Sequence, residues 1–273
     1  MSHLEMHQFI CRSDNYGLLV HDHQSGATAS IDAPDAAVIE RELKARGWQL
    51  THIFNTHHHA DHVEGNLALR QQFGCQIVGP KEEADRIPGI RKQVAGGETF
   101  AWAGREVKVY ACPGHTKGHI AYHIASEFSL FAADTLFSLG CGRVFEGTLD
   151  EMFQSVSQFK KLSPSTYLYC GHEYTEANAR FALTVEPGNM ALQQRAGIVR
   201  SAAAYAALFL VGAWGSGIAE RHFGRTDPGQ VVVDEVMGMI VPMLGNPFGW
   251  PSGLLGFLLF RVFDIVKPYP AGR

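Results

Sequence analysis

The run Thr56-His57-His58-His59-Ala60-Asp61-His62 puts four imidazoles and a carboxylate into one short internal stretch. In an extended chain alternate side chains share a face, so His57 and His59 point together and His58 points away; Asp61 and His62 open the next helix and turn back into the same space. Four such polar side chains between an apolar strand and a helix serve no packing purpose. They read as ligands of metal. Two cations need about three more donors, and His115, Asp134 and His172 each stand where a strand-like run gives way to a loop. Nitrogen and carboxylate donors without cysteine suit zinc, the first expectation, with iron or manganese as alternatives. Two ions about 3.5–4 Å apart must share a carboxylate, and a water held between them has its pKa lowered to about 7. Asp134 is the expected bridge, and Asp61 and Asp134 are the expected catalytic carboxylates beside that hydroxide. His58, His119 and His123 read as ordinary hydrogen-bonded histidines.

The elements that must position these groups are visible as short apolar runs. Thr51 to Phe54, Gln76 to Val78, Val107 to Tyr110, Ser129 to Ala133 and Tyr167 to Tyr169 read as strands, alternating with helical stretches such as Ala36 to Arg46 and Leu67 to Phe73. This is an α/β pattern. Asp32, at the end of the strand-like Ala29-Ser30-Ile31, reads equally as a carboxylate orienting a ligand histidine or as a plain loop or capping residue.

A net charge of −4 over 273 residues gives no general attraction to phosphate backbones, which argues against a nucleic-acid partner. The five cysteines form no CxxC pair and the start MSHLEMHQF lacks a secretory pattern, so a reduced, cytoplasmic protein is expected. Composition changes late in the chain. Only five Lys/Arg and five Asp/Glu fall after residue 200, and Ser201 to Ala219 carries no charge over a length near that of a membrane-spanning helix, roughly 17–25 residues. Val236 to Phe260 is also uncharged but is broken by Pro242, Pro247 and Pro251. A membrane contact through 201–260 is therefore expected, set against a buried helical core.

Thr56 to His62 resembles the signature of the metallo-β-lactamase superfamily, and four further stretches narrow the resemblance to glyoxalase II, the hydroxyacylglutathione hydrolases. They are Cys112 to Ile120, Ala133 to Phe137, Gly140 to Thr148 and Gly171 to Thr175, in the family's order and spacing across residues 1 to about 194. The resemblance implies a four-layer αββα sandwich. It also implies that His57, His59 and His115 hold one metal, that Asp61, His62 and His172 hold the other, and that Asp134 bridges. Arg143 and Tyr174 fall where the family contacts glutathione; Phe145 stands where some members have tyrosine. The implied reaction is hydrolysis of a glutathione thioester, S-lactoylglutathione to D-lactate and glutathione. A persulfide dioxygenase, with a single iron, is the rival within the superfamily, opposed by His172 and by Cys141-Gly142-Arg143.

The glyoxalase II pattern begins its helical domain near residue 174 and is lost past about 195, where the usual Arg/Lys contacts to glutathione would follow. From about 200 to 273 the chain resembles in part the phosphatidylglycerophosphatase A enzymes, through Ala219 to Gly224, Asp227 to Gly238 and Phe260 to Pro270. Asp234, Glu235 and Asp264 read there as Mg²⁺-site carboxylates or, preferred, as caps and helix-end charges. The expectation is a fusion: a hydrolase domain at 1–194, and a mostly helical, apolar segment at 195–273 whose own activity would be a membrane lipid phosphatase.

Overall fold

The computed structural model describes residues 4–197. Two sheets form its centre. The first has the order β1-β2-β3-β4-β5-β6: β1 (Glu5–Ile10), β2 (Tyr16–His21), β3 (Thr28–Ile31), β4 (His52–Phe54), β5 (Gln76–Pro80) and β6 (Lys92–Val94). Its first three strands are antiparallel and those from β3 onward are parallel. The second contains β7 (Thr99–Trp102), β8 (Arg105–Ala111), β9 (Ile120–Ile124), β10 (Ser129–Ala133) and, across a crossover, β13 (Tyr167–Cys170) parallel to β10. β11 (Leu136–Phe137) and β12 (Gly140–Cys141) form a small separate ribbon.

Period-two alternation distributes the apolar residues between layers. Leu18, Val20, Ile31, Phe54 and Val78 of the first sheet meet Val107, Val109, Tyr122, Ile124 and Phe131 of the second. Their neighbours Leu19, Ile53 and Ile77 face the other way, onto Ile39 and Leu43 of α1 (Ala36–Arg46) and Leu69 of α3 (Asn66–Phe73), while α2 (Ala60–Val63) is a single turn between them. The outer face of the second sheet carries Ala121, Leu130 and Ala132 against Phe159, just past α4 (Leu149–Ser157). Helix, sheet, sheet, helix is the expected αββα order. The Ala36–Arg46 helix has the bounds read from sequence, because Asp35 caps its first turn and Gly47, at φ 69°, ends it.

Sequence periodicity does not show β1, β2, β6, β7 or β9. β9 is buried at every residue and β2 at all but its first, so both lack alternation, and β1, β6 and β7 are edge strands. α5 (Thr175–Val185) follows β13. Contacts divide the chain into units Met1–Ala182 and Leu183–Arg273, a division inside α5. No helix among the described residues is long and apolar enough to cross a membrane. Ser201 to Ala219, Val236 to Phe260, and Asp234, Glu235 and Asp264 lie outside the described residues, so the segment expectations made for them are neither met nor overturned.

Candidate metal centre

The C-terminal ends of β3, β4, β8, β10 and β13 open onto one edge of the sandwich, and Asp32, the Thr56–His62 turn, His115, Asp134 and His172 follow them in turn. Donor atoms of His57, His59 and His115 lie within 4.8 Å of one another, as do those of Asp61, His62 and His172. Asp134 stands between the two triads. Its Oδ2 is 3.4 Å from Nε2 of both His115 and His172, and its Oδ1 is 3.5 Å from His62 Nε2.

Hydrogen bonds on the far side of each ring show which nitrogen is left for a metal. Thr56 Oγ1 donates to Asp32 at 2.8 Å and can therefore only accept from His57 Nδ1 at 3.0 Å. His115 Nδ1 donates to the Arg143 carbonyl at 2.8 Å. His62 Nδ1 donates to Asp32 at 2.8 Å, and His172 Nδ1 to Asp14 at 3.1 Å. Each of these four histidines thus turns Nε2 inward. His57 and His115 both point theirs at His59 Nδ1, at 3.1 and 3.0 Å. Burial pushes both rings below the usual histidine range, so they are neutral and present bare lone pairs to one point. Lone pairs converging in this way fit a cation.

The second triad fits by charge. Burial alone would raise Asp134, yet His62 and His172 hold its carboxyl well below the ordinary range. Its buried Oδ1 makes no hydrogen bond. Burial would lower His172, but hydrogen bonds to Asp134 and Asp61 push it up to about 10. Asp61 is held ionised, first by His172 and also by Asn15. Four carboxylates, Asp14, Asp32, Asp61 and Asp134, surround the two imidazoles of this triad, so a divalent cation can replace the imidazole protons they attract.

The backbone is shaped for this approach. A Cβ on Gly171 would lie 2.3 Å from Asp134 Oδ1, so glycine lets the chain leaving β13 pass close to the carboxylate. Asp32 and Ala133 hold left-handed φ of 56° and 41°, which carries strain beside the donor set.

The three positions matched to glutathione contacts share a cavity of about 650 Å³ with His59, His115, Asp134 and His172. Tyr174 stacks on His172 with ring centroids 5.0 Å apart, and Phe145 meets His115 edge-on at 5.3 Å. Arg143 lines the same cavity. His58 turns away to Glu83, and His123 lies in β9 beside Tyr110. His119 stacks on His57 and is pushed down to about 3 by burial. Sequence reasoning missed Asp14 and Asn15. Asn15 donates to Asp61 Oδ2 at 3.1 Å, but Ser13-Asp14-Asn15 between two strands looks like any polar turn.

Asp32 acts on both triads. It accepts from Thr56 N, Thr56 Oγ1 and His62 Nδ1, each at 2.8 Å, and so holds His62 directly and His57 through Thr56. Replacing Asp32 with alanine should lower metal affinity by about 10–100-fold, the usual effect of removing an outer partner. Chelator competition measures this, and an unchanged affinity refutes the role.

A dinuclear His/Asp centre on the rim of an αββα sandwich defines the class. The metallo-beta-lactamase superfamily model matches residues 25–172. The ETHE1 crystal structure from Myxococcus xanthus superposes with a TM-score of 0.56 at 29% identity, covering 62% of this chain and 76% of that one. Hydroxyacylglutathione hydrolase from Brucella anthropi is 58% identical over 193 residues, 71% of this chain and 74% of that protein. The enzyme of the same name from Rhizobium meliloti is 57% identical over 196 residues, 72% and 77% of the two chains. The chain belongs to the hydroxyacylglutathione hydrolases of the metallo-β-lactamase superfamily. These relatives do not favour the phosphatase or persulfide dioxygenase alternatives.

The phosphatidylglycerophosphatase A family model also matches, over residues 132–273, and the chain belongs to that family along this stretch. The match begins earlier than the resemblance read from about 200. Residues 132–172 fall in both matches, and in the structure they run from β10 to β13 within the sandwich.

Proposed function

We propose that the chain hydrolyses S-(2-hydroxyacyl)glutathione thioesters, S-lactoylglutathione foremost, to D-lactate and glutathione. The observation that supports this best is Asp134 between two ligand triads that open, with Arg143, Phe145 and Tyr174, into one cavity. His57, His59 and His115 would hold one cation, Asp61, His62 and His172 the other, and Asp134 both; zinc is the first choice for the donor set, iron or manganese the alternatives. When bound, the pair supplies an activated water and Lewis-acid polarisation of the thioester carbonyl.

The chain's own residues do the rest. Asp61, held ionised by His172 and Asn15, keeps a charged carboxylate on the cavity lining that orients the nucleophile. Arg143 attracts the carboxylates of the glutathione moiety, and Tyr174 and Phe145 form apolar walls that turn the thioester toward Asp134. A thiolate leaves without a general acid, because an ordinary thiol pKa is about 8.5. The hydrolase part extends to about residue 194; Mg²⁺ binding and membrane contact belong to the proposal for the remainder.

Purified full chain given two equivalents of zinc should turn over S-lactoylglutathione, and no turnover by folded, metal-loaded protein overturns the reading. Arg143→Ala should raise KM by about tenfold, roughly the 1.4 kcal/mol of one exposed charge-assisted contact, with kcat little changed. A fall in kcat at constant KM would place Arg143 in the chemical step instead.

A further inference from the structure

Glu83 belongs to no ligand triad of the described centre, yet its carboxylate is almost fully buried beside it. It ends a 3-10 turn, Lys81–Glu83, that follows β5. Oε2 accepts from the His58 backbone N–H at 2.9 Å and from the His58 ring at 2.7 Å, and Oε1 accepts from Gly118 N–H at 2.8 Å. His58 lies between His57 and His59, and Gly118 lies three residues after His115. One carboxylate therefore joins the two loops that supply the three-imidazole triad.

His58, Glu83 and Glu146 also come close enough to suggest a third cation site. Their bonding argues against it. Both Glu83 oxygens are taken by N–H groups, and Glu146 is occupied by Arg86 at 2.8 Å and by Lys117 N–H at 3.2 Å. Backbone donors aimed at a carboxylate make an anchor, since a cation would have to displace them. The packing is equally specific: a Cβ on Gly118 would fall 2.6 Å from Glu83 Cγ.

We propose that Glu83 is a positioning residue that sets the spacing of the His57/His59 and His115 loops, and with it the affinity of the three-imidazole site alone. The inference rests on the dinuclear reading above. It acts through His58 and Gly118 and touches no reacting atom. The other triad is held by Asp14, Asn15 and Asp32, which belong to other loops.

The test uses the full chain as Glu83→Gln, which keeps shape but puts an amide against N–H donors, and independently Gly118→Ala, which pushes the carboxylate aside. Cobalt(II) and zinc titrations with chelator competition read the two sites separately, and the cobalt absorption reports ligand geometry. One site should weaken by about 10–100-fold, as for other outer partners of metal ligands, with an altered cobalt spectrum, while the other keeps its affinity. Two wild-type affinities in both variants overturn the proposal, as does equal weakening of both sites in step with Tm, which marks a merely structural role. If wild-type protein binds fewer than two ions, the dinuclear reading fails first and the proposal falls with it.

Discussion

Asp134→Asn should abolish most thioesterase turnover while leaving the fold intact. The substitution keeps the size of the side chain but removes the one charge that faces His62, His115 and His172 together. Two cations at neighbouring sites repel one another, and a shared carboxylate is what offsets that repulsion. Without it the second ion is lost or displaced. Lewis-acid and nucleophile activation contribute several kcal/mol to such reactions, and each 1.36 kcal/mol is tenfold in rate, so kcat/KM should drop by roughly a thousandfold. Metal analysis should give about one ion per chain in place of two. A loss under tenfold with two ions still bound would remove Asp134 as the shared carboxylate. Gly171 adds a steric counterpart, because its backbone passes close to Asp134.

Arg105→Met should produce the largest loss of stability, at the other end of the sheets. Arg105 opens β8, whose far end leads to His115. Its Nη1 is 3.2 Å from Asp22, which follows β2, and its Nε is 2.6 Å from Glu127, which follows β9. All three side chains are buried, so one guanidinium ties the first sheet to the second. Methionine fills the volume but takes the guanidinium away from two buried carboxylates, a change that typically costs about 3–5 kcal/mol. At roughly 2–4 °C per kcal/mol for a domain of this size, Tm should fall by about 10 °C. Asp22 is held below the usual carboxylate range, first by the Ser25 hydroxyl and also by Arg105. Its contribution is therefore present above the unfolded-state value near 3.9 and disappears as pH falls through the lower folded value. The gap between wild type and variant should narrow below about pH 4. Denaturant unfolding at pH 7 and pH 3 checks both statements, and a gap that widens in acid would refute the ion-pair account.

Much of the centre is legible along the chain. His57, His59, Asp61 and His62 lie within one strand-to-helix turn, so local geometry alone brings them together, and the ends of later strand-like runs point to His115, Asp134 and His172. Local pattern does not supply the partners that hold them. Asp14 and Asn15 lie more than 150 residues before His172, in a turn whose composition is that of any hairpin. Glu83 looks like one more charge in Lys81-Glu82-Glu83. Asp32 reads two ways from its neighbours, and only its three hydrogen bonds decide between them.

By itself the amino-acid sequence determined the donor types, the strand-to-loop positions that carry them and the α/β alternation, because these depend on neighbours along the chain. Tertiary structure alone decided which ring nitrogen faces inward and where Asp134 stands between the triads. It also decided which buried carboxylates orient ligands and which, like Glu83 and the pair around Arg105, fasten loops or sheets. The physical reason is distance. Hydrogen bonds and charge fields act over a few ångströms in space, and at this rim those ångströms separate residues from five different strand ends.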